Sequence, residues 1–207
     1  MKLFILILII ILICILLFYH EKDHLFYYLS CMNNKNITGL PTPSQCKNKI
    51  ISLLNTLSQN SYTLIDFGCG DGDIIESFYP HVHHVIGIEI DEKQSNSTKQ
   101  RFSENKSVTI LHINIKEYQF SNIPTILYMY EPLWCYKKED ALELYHHVLK
   151  TFMEQTHQDS FIIYVSGVYA LLDESIFQLY YLQEIHHSRV PRFLGWNGNH
   201  LYIYKKL

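Results

Sequence analysis

The run Asp66-Phe67-Gly68-Cys69-Gly70-Asp71-Gly72, with Gly87-Ile88-Glu89 beginning seventeen residues beyond Gly70, is the part of this chain best equipped for chemistry. Its glycines let a backbone turn tightly and approach a ligand with no Cβ in the way. The N–H groups at the start of the helix that follows can receive a carboxylate. An acid at the tip of the next strand is placed to grip the two hydroxyls of a ribose. The local pattern agrees. A buried strand is expected over Thr63–Phe67, then the turn, a short helix lined by Ile74, Ile75 and Phe78 that stops before Pro80, and a second strand from His84 to Ile90.

Two ligands compete for such a loop, a dinucleotide and S-adenosylmethionine. The dinucleotide fingerprint is G-x-G-x-x-G. Here the third glycine falls one residue early and Asp73 takes its place. Asp71 and Asp73 would face a pyrophosphate with like charge, whereas acids favour a ligand that carries an ammonium and a sulfonium. On these residues the chain resembles the class I S-adenosylmethionine-dependent methyltransferases, whose first motif is commonly D-x-G-x-G-x-G. The resemblance spans roughly Lys47 to Leu207. It implies that Asp66, Gly68 and Gly70 contact the methionine end of the cofactor, that Asp71 also belongs to the cofactor site and that Glu89 holds the ribose. At the position where the family often has an acid for the adenine amino group, this chain has Asn114. The amide oxygen of Asn114 can still accept that hydrogen bond; the alternative is that Asn114 is an ordinary turn residue.

The resemblance also directs attention to Tyr130-Glu131-Pro132-Leu133-Trp134 at the end of the fourth strand. Amino-directed members often carry Asn/Asp/Ser-Pro-Pro-aromatic there. This chain keeps the proline and the aromatic residue but has glutamate first and leucine for the second proline. Glu131 is expected to bind a cationic amine and take its proton, with Pro132 shaping the loop. The ring of Trp134 would add a cation–π contact of about 0.5–2 kcal/mol. Glu131, Pro132 and Trp134 are thus the expected catalytic residues. The alternative is a loop that merely closes the pocket.

The elements that must position these residues follow in order. A helix capped by Ser44, with Ile50, Ile51, Leu53, Leu54 and Leu57 on one stripe, precedes the first strand. A polar helix is expected over Glu92–Asn105, a third strand over Val108–Ile113 and a fourth over Thr125–Tyr130. Then come a helix over Lys138–Gln155, a strand over Phe161–Ser166 and a helix near Leu171–Tyr180. Two last strands, Leu182–Ser188 and Leu201–Tyr204, flank a Gly/Asn-rich loop containing Trp196. Strands alternating with helices imply a parallel sheet. The fold class expected is α/β, a Rossmann-like class I methyltransferase fold with a mostly parallel sheet and an antiparallel C-terminal strand. The domain is expected to occupy residues 44–207.

The amino terminus is a separate object. Leu3–Tyr19 is an unbroken apolar run of seventeen residues, just long enough to span a hydrocarbon core. No small-x-small cleavage site follows, which favours an uncleaved anchor over a signal peptide. The reading is therefore a single-pass transmembrane helix over residues 1–20 and a juxtamembrane linker over 21–43. The catalytic domain is expected in the cytosol, where S-adenosylmethionine is made. Charges flanking the run are nearly balanced and do not set the orientation.

A chain of 207 residues with net charge −3 has room for one core and lacks the basic field of a nucleic-acid binder, so no nucleic-acid partner is expected. The five cysteines include no C-x-x-C pair and suggest neither zinc site nor disulfide framework. Three adjacent His pairs, 83–84, 146–147 and 186–187, point apart on a strand or helix, so no metal is expected. The methyl acceptor is expected to be a protein lysine, another amine or a small molecule near the membrane. The rival reading is a catalytically inactive methyltransferase fold acting as a membrane-bound binding module.

Overall fold

The computed structural model describes residues 42–57, 61–133, 137–166, 172, 174–190 and 199–207. The elements are α1 (Ser44–Leu54), β1 (Thr63–Phe67), α2 (Asp73–Phe78), β2 (His84–Glu89), α3 (Glu92–Arg101), β3 (Val108–His112), β4 (Thr125–Tyr130), α4 (Lys138–Gln155), β5 (Phe161–Ser166), α5 (Glu174–Leu179), β6 (Leu182–Val190) and β7 (Asn199–Lys206). Seven strands form one sheet in the order β3-β2-β1-β4-β5-β7-β6. The first five pair in parallel, while β7 runs antiparallel between β5 and β6.

Strands β1, β4 and β5 are buried along their whole length. Their near-continuous apolar sequences are what a parallel sheet covered on both faces demands. One face packs Leu64, Val85, Ile126, Tyr128 and Ile163 beneath α1 and α2, with Cys46, Ile50, Ile75 and Phe78 as the helical side. The other packs Ile65, Ile88, Leu127, Met129, Ile162 and Tyr164 beneath α4, which contributes Ala141, Leu144, Tyr145, Val148, Leu149 and Phe152. The chain order reverses between β1 and β4, which opens a crevice at the carboxyl ends of those strands.

Most expected boundaries agree to within a few residues. Ser44 does not cap α1; Pro43 occupies that position and no side chain caps the helix. The polar helix α3 ends at Arg101, short of Asn105. It buries Ser95 and Thr98 rather than an apolar stripe, because its inner side grips the glycine loop through hydrogen bonds. Two residues assigned to the linker belong to the folded domain. Thr42 is buried and its hydroxyl shares a 2.5 Å hydrogen bond with that of Tyr128, and Pro43 starts α1. Residues 1–20, and the linker up to residue 41, lie outside the described residues. Among the described residues no helix is long and apolar enough to cross a membrane.

Candidate functional site

The glycine loop is built from left-handed backbone. Gly68, Gly70 and Gly72 have φ of 82°, 52° and 84°, values that L side chains adopt only with strain. At Gly68 there is a second requirement. A Cβ there would lie 2.9 Å from Pro132 Cβ, so the loops after β1 and β4 touch at this point. Thr98 Oγ1 donates to the Gly70 carbonyl at 2.6 Å, and Arg101 Nη1 donates to the Asp71 carbonyl at 2.7 Å. Both donors come from α3.

The loop amides are largely engaged within the chain. Gly68 and Cys69 donate to the Ile88 carbonyl at 2.9 and 3.1 Å, and Gly72 donates to the Cys69 carbonyl at 2.9 Å. Gly70 donates to Glu89 Oε2 at 2.9 Å, and Asp73 to Asp71 Oδ1 at 3.2 Å. Helix α2 is six residues long and carries Asp73 and Glu76 in its first turn, so acidic side chains of its own already face its positive end. Five amides, those of Gly68, Cys69, Gly70, Gly72 and Asp73, are thus engaged within the chain.

Asp66 and Glu89 fall on the α2 side of the sheet. Asp66, 3 % exposed, has one carboxylate oxygen, Oδ2, buried without a hydrogen-bond partner among the described residues. Burial, and then the nearby charges of Glu89, Asp73 and Asp71, push its pKa to about 8. An orphaned buried oxygen among like charges is suited to an ammonium, which would supply donor and counter-charge together. Glu89 is also buried, with Oε1 accepting from the Asp91 amide at 2.9 Å and Oε2 from Gly70. Each oxygen keeps a lone pair for a ribose hydroxyl. These residues fit the ammonium and sugar of S-adenosylmethionine, the group that supplies an electrophilic methyl when bound. Asp71 is exposed and its carboxylate closes the turn onto Asp73. Asn114 Oδ1 accepts from the Lys116 amide at 3.0 Å and caps a short 3-10 turn, which leaves one lone pair for an adenine amino group.

Glu131 ends β4 with φ of 39° and is 3 % exposed. Its charge acts on the phenols of Tyr145 and Tyr164, both of which are pushed up first by burial. Tyr145 is also hydrogen-bonded to the Leu133 backbone. Tyr145 and Tyr164 belong to the α4 side of the sheet, so Glu131 lies across β4 from Asp66 and Glu89. The structure thus brings Asp66, Gly70 and Glu89 together, joins Gly68 to Pro132, and sets Glu131 beside two tyrosines. Trp134 and Trp196 lie outside the described residues.

Sequence reasoning missed Lys47, Tyr145 and His187. Lys47 Nζ reaches Asp73 Oδ2 at 2.5 Å from α1. His187 Nε2 meets His200 Nδ1 at 2.8 Å across β6 and β7. No spacing along the chain signals contacts made across packed elements.

The strand order, the antiparallel β7 and the crevice residues define a class I methyltransferase fold. Residues 64–151 match a family model described as a methyltransferase domain. The N-methyltransferase NodS from Bradyrhizobium japonicum WM9, in complex with S-adenosyl-L-homocysteine, is similar in structure with a TM-score of 0.66 and 12 % identity over 87 % of this chain and 98 % of its own. Magnesium protoporphyrin IX methyltransferase from Synechocystis PCC 6803, with bound S-adenosylmethionine, aligns with a TM-score of 0.62 and 13 % identity over 79 % of each chain. A SAM-dependent methyltransferase from Aquifex aeolicus gives 0.61 and 12 % over 81 % of this chain and 95 % of its own. At such identities these likenesses speak for the fold alone. No curated protein matches the sequence. Residues 64–151 thus form a methyltransferase domain within a class I methyltransferase fold; the chain is an enzyme, and S-adenosylmethionine is its cofactor.

Proposed function

We propose that this methyltransferase acts on nitrogen, on a protein lysine or another amine, from a membrane to which residues 1–20 tether it, its catalytic domain in the cytosol. The observation that carries the acceptor assignment is Glu131. It is a buried carboxylate on left-handed backbone at the carboxyl end of β4. A non-glycine residue held at positive φ stores about 1–3 kcal/mol of strain, and such strain clusters at functional sites. A cationic amine is the partner such a carboxylate suits best.

In this reading Glu131 binds the protonated amine and takes its proton, which leaves the nitrogen lone pair free to attack a methyl carbon. Pro132, held against Gly68, fixes the distance between the acceptor loop and the cofactor loop. Correct placement of donor and nucleophile can lower a barrier by about 7–11 kcal/mol in favourable systems, so this contact bears on rate as well as on folding. Asp66, Gly68, Gly70, Asp71, Glu89 and Asn114 hold the cofactor. Trp134 is the proposed aromatic wall of the acceptor pocket. The N-methyltransferase among the structural neighbours is compatible with a nitrogen target, and the porphyrin enzyme shows that the fold also serves other acceptors.

The test uses the full chain in detergent with methyl-labelled S-adenosylmethionine and a cell extract. The wild type is expected to label an amine-bearing acceptor. Glu131→Gln should retain cofactor affinity within twofold and lose at least a hundredfold in turnover. Full activity in Glu131→Gln, or label found only on oxygen or carbon, would sink the assignment.

A further inference from the structure

S-adenosylmethionine carries a carboxylate as well as an ammonium and a sulfonium, and the glycine loop is poorly furnished to receive it. The amides of Gly68, Cys69, Gly70, Gly72 and Asp73 already donate within the chain. Asp66, Asp71, Asp73 and Glu89 crowd the loop with acids; burial first, and then the charges of Glu89, Asp73 and Asp71, raise Asp66. An anionic ligand group needs a cation there.

Among the described residues, two side-chain cations touch the loop or its helix. Arg101 is bonded to the Asp71 carbonyl and to Glu76 on the outer side, and its side chain is 39 % exposed. Lys47 reaches the helix after the loop at Asp73. It stands on α1, whose Cys46 and Ile50 are fully buried in the same core cluster as Tyr128 and Ile75. The start of that helix is held by the bond between Thr42 and Tyr128, and Tyr128 pairs with Asp66 across β1 and β4. The Lys47 side chain is 18 % exposed, and one donor of its ammonium goes to Asp73 Oδ2. An ammonium has three donors, so two remain for a second oxygen ligand.

We infer that Lys47 is a cofactor-binding residue, the counter-charge for the α-carboxylate of S-adenosylmethionine, with Asp73 holding it in place. The inference rests on the cofactor assignment and adds the residue that reads the amino-acid end. It also predicts selectivity. Decarboxylated S-adenosylmethionine keeps the ammonium and sulfonium but offers Lys47 only positive charge.

Isothermal titration calorimetry on the full chain in detergent, with S-adenosylmethionine and with its decarboxylated analogue, tests this. The wild type is expected to bind S-adenosylmethionine at least tenfold more tightly than the analogue. Lys47→Met, which keeps the length and apolar stem, should weaken S-adenosylmethionine at least tenfold while leaving the analogue unchanged or tightened, since a repelling charge is removed. Lys47→Arg should restore most of the preference. Equal wild-type affinity for the two ligands overturns the inference without recourse to any variant, and so does a Lys47→Met loss that is equal for both. If the wild type binds neither ligand, the cofactor assignment itself falls and the inference falls with it.

Discussion

At the residue scale the decisive feature is a set of carboxylates that differ only in what surrounds them. Glu89 spends each oxygen on a backbone amide. Asp73 has Lys47. Asp66 has an oxygen with no hydrogen-bond partner among the described residues and a pKa pushed to about 8 by burial and by its acidic neighbours. Such a group makes stability depend on pH with a definite sign. Below about 4 both folded and unfolded chains hold the proton and Asp66 contributes no slope. Between about 4 and 8 the unfolded chain releases the proton while the folded chain retains it, so stability falls as pH rises. Denaturant titrations of the cofactor-free protein should show a midpoint that declines across this window, and Asp66→Asn should remove most of the decline. A wild-type midpoint that rises steadily from pH 5 to 8 would contradict the placement of Asp66. Bound S-adenosylmethionine should flatten the same slope, because its ammonium favours the ionised carboxylate.

At the element scale the antiparallel pair β6–β7 adds a device of opposite sign. His187, His200 and Tyr202 form a stack along its α4 side, with His187 and Tyr202 centroids 4.4 Å apart. His187 and His200 share a hydrogen bond, which needs at least one neutral ring. His200 titrates below its usual value, chiefly through burial and then through the charges of His187 and Arg189. A depressed histidine pKa means that the unfolded chain takes up the proton first. The contribution of His200 is therefore complete above about 6.5 and is lost as pH falls through the folded value. Hydrogen exchange should report weaker protection of the β6 and β7 amides at pH 5.5 than at 7.5, with β1 and β4 much less affected. His200→Gln should remove the difference. Unchanged protection in the wild type would mean that the pair does not govern the strands. The polar helix α3 makes a related point. It is held by a cap, Asp91 accepting from the Gln94 amide at 2.8 Å, and by its grip on the loop, not by an apolar stripe.

At the scale of the whole molecule, two faces of one sheet divide the labour. The α2 side carries Asp66, Glu89 and Lys47; the α4 side carries Glu131 with Tyr145 and Tyr164; Gly68 and Pro132 meet between them. Under the proposed tethering, the full chain should float with phosphatidylcholine vesicles on a density gradient and a chain starting at residue 21 should stay at the bottom. Co-flotation of the shortened chain would move membrane contact to the folded domain, and failure of the full chain to float would remove the tether.

How far the chain could be read without its fold has a physical boundary. The loop, β1, β4, α4 and β5 were legible because their signals are short-range. Positive φ is a matter of the glycine itself, and a fully buried strand or an amphipathic helix announces itself within a few residues. The family motif places Asp66 and Glu89 for the same reason, since the strand–turn–helix–strand unit that joins them is local. The pairing of Lys47 with Asp73, of Thr42 with Tyr128 across 86 residues, of His187 with His200 and of Glu131 with its tyrosines was not legible. Those contacts depend on which faces α1, α4 and β7 turn towards the sheet. That choice is made by packing and strand register summed over the whole core, where no single stretch of sequence holds the information.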